Sequence, residues 1–235
     1  MKSNSLSISK TNRLPFTVII LATFLITIYL YFFSAESLIE LFNLSEAENR
    51  EIIGYNLQHI SFFILFGIIP FLITLGIKDK NKYESFGLQL GDYKFGLKAL
   101  SIGLLLAAVV GYLGSFDESV RSEYPLAKSL LTDQSQLITY HLIYIFFYYT
   151  AWEFFFRGFM LQSMKPSTGI LLSIAIQTMA STLEHVGKPA PEILGAIPAG
   201  ILFGWIAYRS RSIIYVLLIH AALGVFTDLF IIYGK

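Results

Sequence analysis

Glu153 and Arg157 stand four residues apart in an otherwise apolar stretch, so a helix places them on one face, one turn apart. Tyr149 lies one turn earlier on the same stripe. His220 falls inside the apolar run 217–223 and shares a helical face with Gly224 and Asp228. His185 belongs to the segment Glu184-His185-Val186-Gly187-Lys188-Pro189. Together these side chains could activate water. Glu153 would be the base, a histidine a second proton-transfer group or hydrogen-bond donor, and Arg157 the countercharge. The plainer alternatives are a structural Glu153–Arg157 ion pair, and Asp228 and His220 satisfying one another. His59 and His141 fall at helix ends, where a polar tip reaches water cheaply, and read as interfacial.

Other hydrolytic signatures are missing. The sequence has no His-Glu-x-x-His and no Gly-x-Ser-x-Gly, and its Gly91-Asp92 pair sits in a loop. Zinc on Glu153, His185 and His220 is chemically open, but their wide separations carry no ligand spacing, so no metal or other cofactor is expected. With 0 Cys there is no thiol nucleophile and no disulfide framework.

The elements that must position these groups follow from composition. Of 235 residues, 55% are hydrophobic, 16% aromatic and only 14% charged, and mean hydropathy is +0.63. A soluble domain carries about 25% charge, so this composition excludes an ordinary water-soluble fold. Net charge of +1 offers no field to a phosphate backbone, which excludes nucleic acid as a partner. A crossing helix needs roughly 20 apolar residues. Seven stretches qualify: 15–33, 58–77, 96–113, 137–160, 169–181, 193–208 and 213–233. The expected fold is therefore all-α, a polytopic transmembrane bundle of about seven helices in the cell membrane, with the lipid bilayer as its surroundings. Residues 1–14 read as a cytoplasmic tail and 15–235 as one transmembrane domain. Ala196, Gly200 and Gly204 form a small-residue stripe suited to close helix contact. Glu153, Arg157 and Asp228 are the charges left inside the spans, and each needs a partner or a task at that depth.

Basic residues of short loops orient the bundle. With the N-terminus in the cytoplasm, Lys2, Lys10, Arg13, Lys78, Lys80, Lys82, Lys94, Lys98, Lys165, Arg209 and Arg211 all fall inside. The outer segments then hold most of the acids, among them Glu36, Glu48, Glu51, Glu123, Glu184 and Glu192, and the C-terminus is outside. Counted from the inner ends, Glu153 and His220 lie about 10 Å deep but His185 about 24 Å. That mismatch shrinks if the fourth helix runs past Met160 towards Lys165.

Ala151-Trp152-Glu153-Phe154-Phe155-Phe156-Arg157-Gly158 resembles the first motif, Glu-Glu-x-x-x-Arg, of the CAAX protease and bacteriocin-processing family of intramembrane endopeptidases. His185 looks like its second motif, and His220 with Gly224 like its third, a His followed four residues later by Asn. The similarity spans about 137–233, with an echo in 86–92. It implies catalysis by Glu153, His185 and His220, with Arg157, Asp228, Lys188 and Glu192 in support. Water activation would fall to the motif-one Glu assisted by the motif-two His, and oxyanion binding to motif three. The substrate would be a membrane-associated peptide or protein. Two departures stand out: Trp152 replaces the first Glu, and Gly224 replaces the Asn. The segment from His185 to Glu192 is similar to a bacterial subgroup that also keeps a lone motif-one Glu.

The leading reading is thus an intramembrane endopeptidase. The alternative is a non-catalytic membrane scaffold, chaperone or bacteriocin self-immunity protein on the same fold. A proton-coupled carrier using Glu153, Arg157 and Asp228 ranks third, because no internal repeat is visible. Orientation is testable at once, since the chain lacks native Cys. A single Cys at Glu48 should react with an impermeant thiol reagent in intact cells, and one at Lys80 should not. The reverse pattern overturns the N-in topology.

Overall fold

The computed structural model describes residues 10–76 and 82–234, which form helices and no strands. The stretches at 1–9 and 77–81, with Lys2, Lys78 and Lys80, and the terminal Lys235 lie outside the described residues. So does most of the expected cytoplasmic tail. Helices run in the order α1 (Lys10–Phe32), α2 (Ala35–Leu41), α3 (Arg50–Leu75), α4 (Lys82–Ser85), α5 (Tyr93–Gly114) and α6 (Glu118–Glu123). A 3₁₀ turn (Lys128–Leu131) leads into α7 (137–168), α8 (Ile170–Leu183), α9 (Ala190–Ser210) and α10 (Ile214–Tyr233).

Among the described residues, a helix stands at each of the seven apolar stretches, six of them long and α8 only 14 residues. Five of them, α1, α3, α5, α9 and α10, are long and apolar enough to cross a membrane by themselves. Of the other two, α7 carries Glu153 and Arg157 and α8 leads directly to His185, while His220 and Asp228 lie on α10. Side chains such as Phe24, Leu105 and Leu171 (82% exposed) cover the outer faces, where only lipid would leave them unpenalised. The interior is an aromatic column. Tyr29 of α1 meets Phe62 and Phe66 of α3 edge-on, and these pack against Trp152 and Phe155 of α7. Alternating edge and stacked contacts of this kind add to area burial alone.

Small residues bring the remaining helices together. A Cβ at Gly96 or Gly103 of α5 would run into Tyr215 or Ile219, so α10 lies directly against α5. The expected small-residue stripe of α9 faces α8: Gly200 meets Thr178, and its carbonyl accepts from Gln177 Nε2 at 2.8 Å. The 86–92 segment clamps the α9–α10 turn. Ile213 N donates to the Gly87 carbonyl, Asp92 N to the Ser210 carbonyl, and Arg209 to the Asp92 carboxylate at 2.8 Å.

α7 departs from a regular helix. Tyr144–Tyr149 and Phe154–Met160 are π-helical, leaving Thr150–Glu153 as a short α segment between them. Such widened turns are frequent at functional sites. The helix also runs eight residues past Met160 before Gly169 turns the chain into α8. Gly169 lies sixteen residues from both Glu153 and His185. The two arms of this hairpin therefore climb through comparable lengths, roughly 24 Å each at 1.5 Å per residue. The expected depth mismatch disappears because α7 is longer than its apolar core.

The turn demands glycine. Gly169 has φ 75° and ψ 167°, a conformation nearly closed to residues with a Cβ, although nothing within 4 Å would obstruct one. The penalty for Gly169→Ala is thus backbone strain alone, about 1–3 kcal/mol. Thermal unfolding in detergent should show that loss. An unfolding temperature equal to wild type would contradict the strained hinge.

Candidate functional site

Glu153 is the anchor of the site. Its side chain is 0% exposed, and its Oε1 accepts from Arg157 Nη1 at 3.3 Å and pairs with His220 Nδ1 at 2.7 Å. The pair foreseen from the four-residue spacing is therefore present, and α10 contributes a third member to it. Arg157, 2% exposed, lies over the rings of Phe156 and Phe203, at 5.9 and 5.6 Å from their centroids. Aromatic faces stand in for water around the guanidinium. Glu153 Oε2, Arg157 Nε and Trp152 Nε1 are buried without a protein partner.

His185 joins the assembly through Trp152. The indole meets the His185 ring at 5.2 Å and the His220 ring at 5.7 Å, both edge-on. Both histidines line one cavity of about 630 Å³, together with Trp152 and Tyr149, and Glu153 is absent from its wall. The two histidines thus meet at one indole and face the open space, and Glu153 joins them only through His220. His185 Nδ1 sits 2.8 Å from the Ser181 carbonyl, which can only accept, so the proton is on Nδ1 and Nε2 is left as an acceptor. Burial pushes its pKa down to about 4, which keeps the ring neutral at pH 7.

The supporting residues divide. Lys188 Nζ binds Glu123 Oε1 at 2.6 Å, and Glu192 Oε1 accepts from the Tyr124 hydroxyl at 2.8 Å. Glu192 also comes within 4.0 Å of His185 Nε2. Asp228 does not approach His220: its Oδ2 pairs with His141 Nε2 at 3.0 Å, in a separate buried contact between α7 and α10. His220 and Asp228 therefore do not satisfy one another. The interfacial reading of His59 and His141 is corrected as well. His59 is only 1% exposed and stacks on Tyr144, because α3 packs its polar face onto α7 rather than ending at the surface.

Two groups had no role in the sequence reading. The first is Tyr149, whose hydroxyl lies where any side chain at Gly224 would begin, with its ring edge-on to His220 at 4.8 Å. Its position on the Glu153 stripe was the available signal. The second is Glu184, on the cavity wall, 6% exposed, with Oε1 unpartnered. Burial raises its pKa to about 8. No sequence pattern distinguished it from the other outer acids. Among the described residues, no group of three or more His, Asp or Glu side chains is disposed to hold a metal ion.

The Glu153 cluster has a measurable consequence. Arg157→Leu leaves a sealed carboxylate without its countercharge and should cost about 3–5 kcal/mol in unfolding free energy. Glu153→Gln keeps shape and a hydrogen bond to His220, so its loss should be clearly smaller. Equal stability of the two variants in detergent would contradict the pairing.

Residues 134–226 match the model of a family described as type II CAAX prenyl endopeptidase, Rce1-like. No match was found among curated proteins or among solved structures. The matched stretch runs from the approach to α7 into α10 and contains Glu153, His185 and His220. The part of the chain that builds the site is thus similar to the Rce1-like type II CAAX prenyl endopeptidases.

Proposed function

We propose that the protein is an intramembrane endopeptidase in which His220, oriented by Glu153, activates water in the cavity beside Trp152. The observation that carries this reading is the 2.7 Å contact between Glu153 Oε1 and His220 Nδ1, with Glu153 sealed and His220 on the cavity wall. A carboxylate already held by Arg157 accepts the Nδ1 proton. That fixes the tautomer with Nε2 as the base, and it stabilises the imidazolium that forms. Glu153 thereby acts behind the histidine rather than on water directly, in contrast to the role expected for the motif-one Glu.

Water then attacks the peptide carbonyl carbon as its proton passes to His220 Nε2. Collapse of the tetrahedral intermediate breaks the C–N bond, and the same proton goes to the departing amine. His185 Nε2, a neutral acceptor, orients the attacking water. The Tyr149 hydroxyl occupies the space of the missing motif-three side chain and donates to the oxyanion. Trp152, in place of a second glutamate, is the partition that both histidines rest on.

The complete burial of Glu153 also favours a second reading, a non-catalytic scaffold or immunity protein in which the Glu153 cluster only ties α7 to α10. Purified protein in nanodiscs, incubated with a peptide library and read by mass spectrometry, separates the two. Endopeptidase action predicts cleavage that His220→Ala abolishes. Glu153→Gln should lower kcat/KM by about 10²–10⁴, the scale seen when the carboxylate behind a catalytic histidine is replaced. Cleavage unaffected by Glu153→Gln refutes the dyad, and no cleavage of any peptide by the wild type supports the scaffold.

A further inference from the structure

The cavity shared by His185 and His220 is acidic, and its acids are occupied in different ways. Glu51 accepts the backbone N–H groups of Lys128 and Ser129 at 2.8 Å each, tying the 3₁₀ turn to α3. Glu123 is bound by Lys188, and Glu192 by Tyr124. The wall's other cation, Arg50, reaches the Ser45 carbonyl at 3.4 Å. Glu184 alone combines near-complete burial, a place on the wall and an oxygen without a protein partner. It has no ion pair within 4.0 Å among the described residues.

A buried carboxyl in that state is costly unless a hydrogen-bond partner or a countercharge comes to meet it. Its surroundings suit a cation. Tyr29, Tyr148 and Trp152 line the same space, and aromatic faces attract ammonium and guanidinium groups. Empty, the carboxyl keeps its proton, because burial holds its pKa near 8. A cation beside it favours the ionised form, so occupation releases that proton to water. Glu184 directly precedes His185 in the chain, so a side chain held there brings its own peptide bond towards the histidines.

We propose that Glu184 forms the recognition floor of a subsite for a cationic side chain, lysine or arginine, of the peptide cut at His185 and His220. This rests on the endopeptidase reading, and the test separates the two. Wild-type protein in nanodiscs is given matched peptides carrying Lys, Arg or norleucine at one position. The Lys and Arg peptides should be cut with kcat/KM at least about tenfold above norleucine, the size of one charge-assisted hydrogen bond. Glu184→Gln, of nearly equal volume, should remove that preference, so that the three peptides are cut with similar kcat/KM. In parallel, the His220→Ala protein, which performs no chemistry, is titrated with fluorescent Lys and norleucine peptides. It should bind the Lys peptide more tightly, and the added Glu184→Gln change should abolish the difference.

Wild-type cleavage without a Lys or Arg preference overturns the subsite and leaves the endopeptidase reading standing. A preference that survives in folded Glu184→Gln does the same. Glu184-dependent binding without any cleavage sustains the subsite and overturns the endopeptidase. Neither binding difference nor cleavage overturns both. If Glu184→Gln fails to fold, the wild-type preference between the three peptides still decides.

Discussion

A fully buried carboxylate is the constraint around which this bundle is arranged. Glu153 has no access to solvent, so its charge must be answered inside the protein, and one oxygen takes both Arg157 and His220. Those contacts fix α10 against α7 at one rotation and one depth. They also explain the aromatic sleeve of Phe154, Phe155, Phe156 and Phe159, which excludes water from a stretch no ordinary apolar helix would need to protect. Burying two charges is not a route to extra stability by itself, since desolvation offsets most of the attraction. The cluster makes better sense as a device that sets the orientation of one imidazole.

The rest of the site is a matter of register. The hinge at Gly169 returns α8 along α7, so that His185 arrives level with Trp152. Trp152, on the cavity wall, and its sealed chain neighbour Glu153 then belong to two environments. On one side lies the sealed ion cluster, and on the other a cavity of about 630 Å³ lined by histidines, tyrosines and acids. This division of labour matches a histidine acting at the open face and a carboxylate acting behind it. It also accounts for both departures from the family motifs. A second glutamate at 152 would place another charge in the partition, and a side chain at 224 would displace Tyr149.

Much of this was legible without coordinates. Hydropathy runs of roughly 20 residues locate the helices, because a bilayer demands apolar length and backbone self-satisfaction regardless of tertiary detail. The Glu153–Arg157 contact follows from helical periodicity, and His220 stood out as a charge-capable group in an apolar run. The close packing of α8 on α9 was readable from Ala196, Gly200 and Gly204. All of these are local signals, carried by neighbours within a turn or two of the same helix.

What the tertiary structure alone decided is every pairing between helices. Depth counted from helix ends accumulates error with each residue, so the eight residues of α7 beyond Met160 removed the expected depth mismatch between Glu153 and His185. Asp228 and His220 share a helix face, yet one meets His141 and the other Glu153, because they lie two turns apart and face different stretches of α7. His59 reads as a helix-end residue but is buried on Tyr144, and Glu184 reads as one outer acid among many but is sealed within the cavity wall. A sequence records which faces are apolar and which residues can carry a proton. Which of those residues share a cavity depends on hinge angle, π-turns and helix length summed over the whole chain, and no local pattern encodes that sum.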